Sequence, residues 1–333
     1  MTTIKDVAKV AGVSVATVSR VMNKEKYVND ELREHVQGVI AKLNYQPDGV
    51  ARGLRTKSTR IISLVIPDIS NPYFPEVARG VQSAADKREF IVVLCNTDRL
   101  IQREKDFYDK LSRQKVEGII INPSGSRVEE LSLLQDLHMP VVLISSQSIL
   151  HDFDMVMVDN QRGAELAVEH LIALGHERIG LVGGSREVSS GEQRYQGFMS
   201  AMRSHKLEVH EAMVTEGSFD HEGGYACMGQ LLSLEKKPTA VFASNDIMAI
   251  GAMSAIYEAG LRIPEDISLI GFDDISFSRM TYPKLTTISQ PKFQAGEVAT
   301  ELLFQRLESQ IDYPPQKIIL DHTLVVRETT RSI

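Results

Sequence analysis

The chain has 333 residues, a length that suits two or three domains and exceeds what a single core supports. Apolar residues make up 43% of it and charged residues 24%, which excludes a disordered, collagen-like or coiled-coil protein. No apolar run reaches the roughly 18 residues that span a bilayer, and the charged N-terminus lacks the apolar core of a signal peptide. Two cysteines offer no disulfide framework. We therefore expect a cytoplasmic protein that does not contact a membrane.

The net charge of −7 is unevenly distributed along the chain. Residues 1–60 carry 11 basic and 6 acidic side chains, a net of +5, whereas the remainder carries 26 and 38, a net of −12. A basic module joined to an acidic body indicates a nucleic-acid partner for the first part alone. A solvated basic face would give the same charge, so the motifs in this part must decide.

The first elements predict a helix–turn–helix. Thr3 is placed to cap the first helix, and Gly12 permits the left-handed conformation that ends a helix sharply. Ser14 is a suitable cap for a second helix over residues 15–22, and a third helix is expected over 30–43. In this layout the second helix enters the DNA major groove. A helical hairpin that binds another protein is the alternative.

The outward face of the second helix carries the expected base contacts. Val18 and Val21 point inward, which leaves small side chains outward at the N-terminal end, where the backbone can approach base edges closely. Arg20 has the donor fork that guanine accepts. The predicted major-groove residues are Val15, Ala16, Thr17, Arg20 and Asn23.

Two segments, IKDVAKVAGVSVATVSRVMN and LNYQPDGVARGLRT, resemble the lactose-repressor family of bacterial transcription regulators. The resemblance runs over nearly the whole chain. It implies a helix–turn–helix DNA-binding domain over residues 1–46, a hinge helix and linker over 47–59, and a two-lobed effector-binding and dimerisation domain over 60–333. A family member is expected to be a repressor that binds a palindromic double-stranded DNA operator as a homodimer, because a twofold operator needs two copies of the reading module.

The hinge segment should be marginally stable alone. It spans only about two turns and contains two glycines, so we expect a helix only where two copies pair on DNA. The resemblance implies that Leu54 then enters the minor groove as an apolar wedge that unstacks a base step. Ala51, Arg52 and Arg55 are the expected contacts beside it. A linker residue packed on the body is the alternative for Leu54.

From residue 60 onward, short β-branched runs alternate with helical segments. The runs lie at residues 61–66, 91–95, 118–122, 141–144, 179–182, 240–243 and 268–271. Continuous apolar strands between helices indicate parallel sheets covered on both faces. The units are too many for one compact sheet, so we predict two doubly wound parallel-sheet lobes with a crevice at the carboxyl ends of the strands. The resemblance implies the same body, that of periplasmic sugar-binding proteins.

Polar side chains follow several of these strands, where small ligands bind in such folds. Carboxylate and amide groups, one arginine fork and two phenylalanine rings together suit a small ligand rich in hydroxyl groups. The segments NPYF and QRYQGF resemble pocket motifs of the family and add Asn71 and Tyr73. The predicted effector-binding residues are Asn71, Tyr73, Phe74, Arg194, Phe219, Asn245, Asp273 and Gln290.

Single members of this set also have structural explanations. Asn71 is placed to cap the following helix, and Asp273 is a candidate turn acid. Arg194 has Glu192 and Glu297 as possible surface partners. Their joint placement at strand ends is what favours a shared site.

The resemblance implies a monosaccharide effector, ribose-like in the leading interpretation, and a repressor of a sugar-use operon. Ser145 and Ser146 replace the Asp-Arg pair of many pentose binders, which leaves the sugar open. A purine-responsive regulator is one alternative, although that branch's base-pairing arginine would fall on Val188. A catabolite-control regulator is the other, although Glu301 stands where that branch has arginine.

No catalytic grouping is found. The histidine spacings do not place two ligands on one helical face, and the glycine turn at residues 181–185 lacks the dinucleotide and phosphate-loop patterns. A carbohydrate enzyme carried on a DNA-binding module is the remaining alternative. We expect no enzyme activity, no cofactor and no metal ion.

Overall fold

The computed structural model describes residues 2–22, 27–45, 58–125, 128–145, 152–309 and 314–333. The chain divides into two compact units, Met1–Thr59 and Arg60–Ile333. The hinge helix expected within residues 47–59 falls almost wholly outside the described residues, so it stays a prediction.

The described residues of the N-terminal unit, 2–22 and 27–45, form three helices around an apolar core. They are α1 (Ile4–Ala11), α2 (Val15–Met22) and α3 (Asp30–Lys42). The Thr3 hydroxyl accepts the N–H of Asp6, and the Asp6 carboxylate accepts the N–H of Thr3, so the two residues form a reciprocal cap. Gly12 ends α1 with a φ of 67°. The predicted helix–turn–helix is confirmed.

The C-terminal unit has two lobes, each built on a six-stranded sheet. The strands of the first lobe are β1 (Ile61–Ile66), β2 (Ile91–Asn96), β3 (Gly118–Ile121), β4 (Val141–Ile144), β5 (Asp154–Val158) and β11 (Lys317–Leu320). Its helices are α4 (Tyr73–Asp86), α5 (Ile101–Arg113), α6 (Val128–Gln135) and α11 (Lys292–Glu308). The sheet is parallel throughout, in the order β11–β5–β4–β3–β1–β2.

The second lobe repeats this plan. Its strands are β6 (Ile179–Gly184), β7 (Val214–Gly217), β8 (Ala240–Ala243), β9 (Ser268–Asp273), β10 (Thr286–Ser289) and β12 (Thr323–Val325). Its helices are α7 (Asn160–Ala173), α8 (Ser189–Ser204), α9 (His221–Leu232) and α10 (Asp246–Glu258), with 3₁₀ turns at Glu211–Met213 and Ser276–Arg279. The order is β12–β10–β9–β8–β6–β7. The predicted doubly wound lobes are confirmed, and β12 adds an antiparallel edge strand to the second.

Both sheets reverse their winding at the same point. The first strand of each lobe lies between the second and the third, so the order reverses between β1 and β3 and again between β6 and β8. The chain passes between the lobes after β5, after β10 and after β11. In open α/β sheets, ligands bind outside the carboxyl ends of the strands at such a reversal. The fold therefore predicts where a ligand site should lie.

Two glycines bring α4 and α11 into close contact. A Cβ atom on Gly80 would lie 2.0 Å from the Phe293 carbonyl oxygen, and one on Gly296 would lie 2.2 Å from the Val77 carbonyl oxygen. No larger residue fits there without moving backbone. The helix that follows the second lobe-to-lobe passage is thus packed tightly onto the helix that begins at Tyr73.

Candidate functional site

The second helix of the N-terminal unit presents an outer face suited to a DNA groove. Ser14 Oγ accepts the Thr17 N–H at 3.1 Å and so caps α2. Val18 and Val21 are buried on its inner side. Four of the five predicted major-groove residues lie on the exposed or half-exposed remainder: Val15, Ala16, Thr17 and Arg20. Small side chains beside an arginine are the layout that base-edge contacts require.

The other predicted DNA contacts lie outside the described residues. They are Asn23, Ala51, Arg52, Leu54 and Arg55. The minor-groove wedge therefore stays a prediction.

A cavity of about 240 Å³ lies between the two lobes of the C-terminal unit. Its walls include the segments after β1 and β3 in one lobe and after β6 and β8 in the other, where the winding of each sheet reverses, and residues after β2, β4 and β7 complete them. Seven of the eight predicted effector-binding residues line it: Asn71, Tyr73, Phe74, Arg194, Phe219, Asn245 and Asp273. The eighth, Gln290, is not part of the wall.

Arg194 is buried in the wall of the cavity, with 5% of the residue exposed. Its Nε donates to Asn160 Oδ1 at 3.0 Å, and Nη1 donates to the Ser244 carbonyl at 2.5 Å. Nη2 lies 3.6 Å from Asp273 Oδ1. The guanidinium also sits over the Phe272 ring, 3.8 Å from its centroid. Four neighbours thus fix the direction of the donor fork.

The surface explanation for Arg194 is wrong. Glu192 pairs with Arg186 at 2.7 Å, and Glu297 pairs with Lys87 at 3.3 Å. The Arg194 guanidinium points inward because α8 places this side chain against the end of β9. There the Asp273 carboxylate balances the buried positive charge.

Asp273 is oriented from behind by Gln290. Gln290 Nε2 donates to Asp273 Oδ1 at 2.6 Å, and both residues are buried. Burial raises the pKa of the Asp273 carboxyl, while the charges of Arg194 and Lys292 and the Gln290 hydrogen bond lower it. Burial likewise lowers the pKa of Arg194, and the Asp273 charge opposes that shift. Gln290 therefore acts on the cavity through Asp273.

Two asparagines that line the cavity also form hydrogen bonds with backbone groups. Asn71 Oδ1 accepts the N–H of Tyr73, the first residue of α4, at 3.0 Å, while Pro72 occupies the cap position itself. Asn245 Oδ1 accepts the Met248 N–H at 2.8 Å, and its Nδ2 donates to the Phe219 carbonyl at 3.2 Å. Each asparagine thus holds a backbone N–H at the start of a helix, α4 or α10, whose first residues lie beside the cavity.

Three aromatic rings provide the apolar part of the wall. The rings of Tyr73 and Phe74 meet edge to face, with centroids 5.1 Å apart and planes at 84°. The Tyr73 hydroxyl is 2.5 Å from Ser145 Oγ, and burial raises its pKa to about 12. Phe219 has a φ of 63°, in the left-handed region. Its ring packs against Gly184 so closely that a Cβ atom on Gly184 would lie 2.2 Å from the Phe219 Cζ atom. The cavity wall thus combines aromatic rings from both lobes with the polar groups described above.

Several cavity residues were not predicted as effector contacts. They include Arg99, Asn122, Ser124, Ser145, Val188, Ser190 and Ser218. Asn122 directly follows β3 and donates to the Ile144 carbonyl at 2.8 Å. The strand-end rule that selects Asn245 would also have selected Asn122. Arg99 lies three residues beyond the end of β2, and Ser218 follows β7, a strand that the apolar runs did not predict.

A second carboxyl group lies behind the cavity wall. Asp246 is completely buried and accepts hydrogen bonds from the Ile275 N–H at 2.9 Å, Ser278 Oγ at 2.6 Å and Thr287 Oγ1 at 2.5 Å. Burial, together with the neighbouring Asp273 charge, raises its pKa to about 7. Asp246 joins the ends of β9 and β10 to the start of α10.

Within the described ranges, no three His, Cys, Asp or Glu side chains are arranged to hold a metal ion. None of the described helices is both long enough and apolar enough to cross a bilayer.

A helix–turn–helix unit followed by a two-lobed body with a cavity between its lobes defines the class of ligand-controlled transcription regulators. Residues 3–48 match the model of bacterial regulatory proteins of the lacI family, and residues 168–330 match a periplasmic binding protein-like domain. The HTH-type transcriptional repressor PurR of Mannheimia succiniciproducens is 39% identical over 334 residues, which cover 100% of both chains. The chain belongs to the lacI family and is a DNA-binding transcription regulator.

Solved structures agree with this assignment. The lac repressor dimer bound to operator and the anti-inducer ONPF matches with a TM-score of 0.90 and 31% identity, over 99% of each chain. A LacI family transcriptional regulator from Enterococcus faecium with bound ribose matches with a TM-score of 0.73 and 31% identity, over 82% of this chain and 99% of that one.

Proposed function

We propose that this protein is a transcriptional repressor whose DNA affinity is set by a purine base held between its two lobes. The observation that carries the proposal is the buried Arg194–Asp273 pair, 3.6 Å apart, in a wall that also holds three aromatic rings. A purine offers a flat face for the rings and an edge bearing both acceptors and N–H donors. An arginine fork and a carboxylate complement such an edge.

The similar proteins favour a purine over a sugar as the effector. The sequence motifs place a ribose-like sugar first, whereas relatives that match over their full length carry the PurR name, that of the purine-repressor branch. This favours the purine-responsive alternative. Val188 lies in the cavity wall, so a purine would bind here without the arginine expected of that branch.

A ribose-like sugar is the second candidate. The E. faecium family member with bound ribose, at 31% identity, supports it, and so does the apolar side chain at Val188. Asn122 and the serines of the cavity wall would serve its hydroxyl groups.

Calorimetric titration of the full chain with adenine, guanine, hypoxanthine and ribose distinguishes the two candidates. The purine proposal expects heat of binding from at least one base, and a Val188→Arg variant that binds that base more tightly and ribose no better. Binding of ribose alone, in both proteins, would replace the purine proposal by the sugar.

We further propose that the protein acts as a homodimer on a palindromic operator, in the cytoplasm, and has no catalytic role. The edge strand β2 supports the dimer, because Ile91, Val93 and Leu94 expose 63%, 38% and 43% of their surfaces. An apolar, unpaired edge is unusual on a monomer. Sedimentation of the full chain, with and without operator DNA, tests the dimer.

An effector can control such a repressor only through its different affinities for two states of the protein. Couplings of this kind are typically about 1–3 kcal/mol, or roughly 5-fold to 150-fold in DNA affinity.

A further inference from the structure

Arg99 lies between the interlobe cavity and solvent. It follows β2 in the first lobe and forms part of the cavity wall, while 27% of its side chain remains exposed. It is three residues beyond the end of an edge strand, and neither a sequence motif nor a helix cap accounts for its position.

The Arg99 guanidinium joins the two lobes across this entrance. Within its own lobe, Nη2 contacts Asp68 Oδ2 at 2.9 Å. In the other lobe, Nη1 donates to the Ser218 carbonyl at 2.5 Å and lies 3.3 Å from Asp220 Oδ2, and Nη2 donates to the Phe219 carbonyl at 3.2 Å. One planar fork thus holds three groups of the second lobe while a carboxylate of the first lobe anchors it.

Both partners of this contact are held in position. Asp68 Oδ1 accepts the N–H of Ser70 at 2.9 Å, and Asp220 Oδ1 accepts the Gly223 N–H at 2.7 Å at the start of α9. Burial raises the pKa of Asp220, but hydrogen bonds from Ser218 and Gly223 and the Arg99 charge lower it below its ordinary value overall. Asp220 is therefore ionised at neutral pH and able to pair with the arginine.

The backbone on each side of the entrance is in the left-handed region. Arg99 has a φ of 59°, its neighbour Asp98 a φ of 52°, and Phe219 a φ of 63°. Residues other than glycine keep this conformation only where surrounding contacts hold it. The Arg99 hydrogen bonds to the Ser218 and Phe219 carbonyls are contacts of this kind.

We propose that Arg99 is a latch that holds the lobes closed and sets the rate at which an effector enters and leaves the cavity. Arg99 acts here on the lobe positions, and the cavity groups recognise the effector. The inference rests on the proposed function for its second test only, because closure can be measured without any effector.

The first test measures the lobe separation in the free protein. Spin labels at Ser112→Cys in α5 and Gln230→Cys in α9 report on the two lobes, since both positions are exposed and the native Cys95 and Cys227 are buried. We expect Arg99→Gln and Asp220→Asn each to broaden the distance distribution toward longer values, and Arg99→Lys to fall between them and the wild type. Distributions that match the wild type for both latch variants would overturn the proposal, whatever their melting temperatures.

Arg162→Gln is the matched control. Arg162 also pairs with two carboxylates, those of Glu165 and Glu169, but all three lie on α7 within one lobe. A control variant that opens the lobes as much as Arg99→Gln would show that any lost ion pair has this effect, and so would also refute the latch.

The second test follows effector exchange by stopped flow, with the compound that the calorimetric titration identifies. Loss of the latch should increase both the association and the dissociation rate of the effector, the latter roughly tenfold, because opening of the entrance would no longer limit exchange. An unchanged dissociation rate alongside wider distances would confine Arg99 to lobe position and overturn its role in exchange. Absence of any binding compound would count against the proposed function and leave the first test intact.

Discussion

Removal of the charges from the Arg194–Asp273 pair separates its role in folding from its role in ligand binding. Arg194→Met keeps an apolar stem over the Phe272 ring but removes the donors to Asn160 and Ser244, and it leaves the Asp273 carboxylate buried without its partner at 3.6 Å. Breaking a buried pair from one side costs about 3–5 kcal/mol. Asp273→Asn should cost less, because the asparagine oxygen still accepts from Gln290 and Arg194 keeps two other acceptors.

The double variant carries no buried charge at this position. Its loss of stability should therefore be smaller than the sum of the two single losses, by about 1–3 kcal/mol. Urea unfolding at pH 7 without ligand measures all four proteins. Ligand affinity should follow a different order, because the effector loses its polar partners in each variant and affinity falls roughly tenfold to hundredfold.

Two results would refute this reasoning. Additive losses of stability would show that the two side chains do not act as a pair. Wild-type affinity in the folded double variant, measured calorimetrically with the effector found by titration, would remove the pair from the binding site.

Three further changes test other parts of the structure. Asp246→Asn should abolish a pH dependence of stability. The pKa of Asp246 is about 7 in the folded protein against an ordinary 3.8, so this group stabilises the fold at acid pH and ceases to do so as the pH rises to about 7. The unfolding free energy of the wild type should therefore fall by a few kcal/mol between pH 4 and pH 8 relative to the variant. Gly80→Ala should cost about 1–3 kcal/mol in urea unfolding, because its Cβ atom would lie 2.0 Å from the Phe293 carbonyl oxygen, whereas Gly229→Ala, with open space, should not destabilise. Arg20→Ala should weaken operator binding in fluorescence anisotropy by about 1–3 kcal/mol and relax base preference at one position; equal losses on all sequences would make Arg20 a phosphate contact.

The local structure of the N-terminal unit could be predicted because its signals are local. Thr3, Gly12 and Ser14 determine helix ends through contacts only a few residues away, and the structure places each as expected. Most of the buried strands, namely β1, β3, β4, β6, β8 and β9, were also predictable, since each contains a continuous apolar run. The strands β5, β7, β11 and β12 were not predicted, because short strands with mixed side chains owe their conformation to pairing with a neighbour.

The candidate site was predictable in composition and less so in arrangement. Strand-end chemistry and family resemblance selected seven residues that share one cavity. They could not show that Arg194 pairs with Asp273, or that Gln290 stands behind Asp273, because these contacts join residues distant in sequence. Arg99 escaped prediction for the same reason, since its partner Asp220 lies 121 residues away.

The central claim is that a small molecule in the interlobe cavity controls DNA binding. Its most direct test is the affinity of the full chain for its operator, selected from random DNA, measured by fluorescence anisotropy with and without each purine base. We predict that at least one base changes the dissociation constant by about fivefold or more, and that the Arg194→Met/Asp273→Asn double variant binds the operator but does not respond. An operator affinity that no purine base alters, in a protein that binds DNA normally, would contradict the claim.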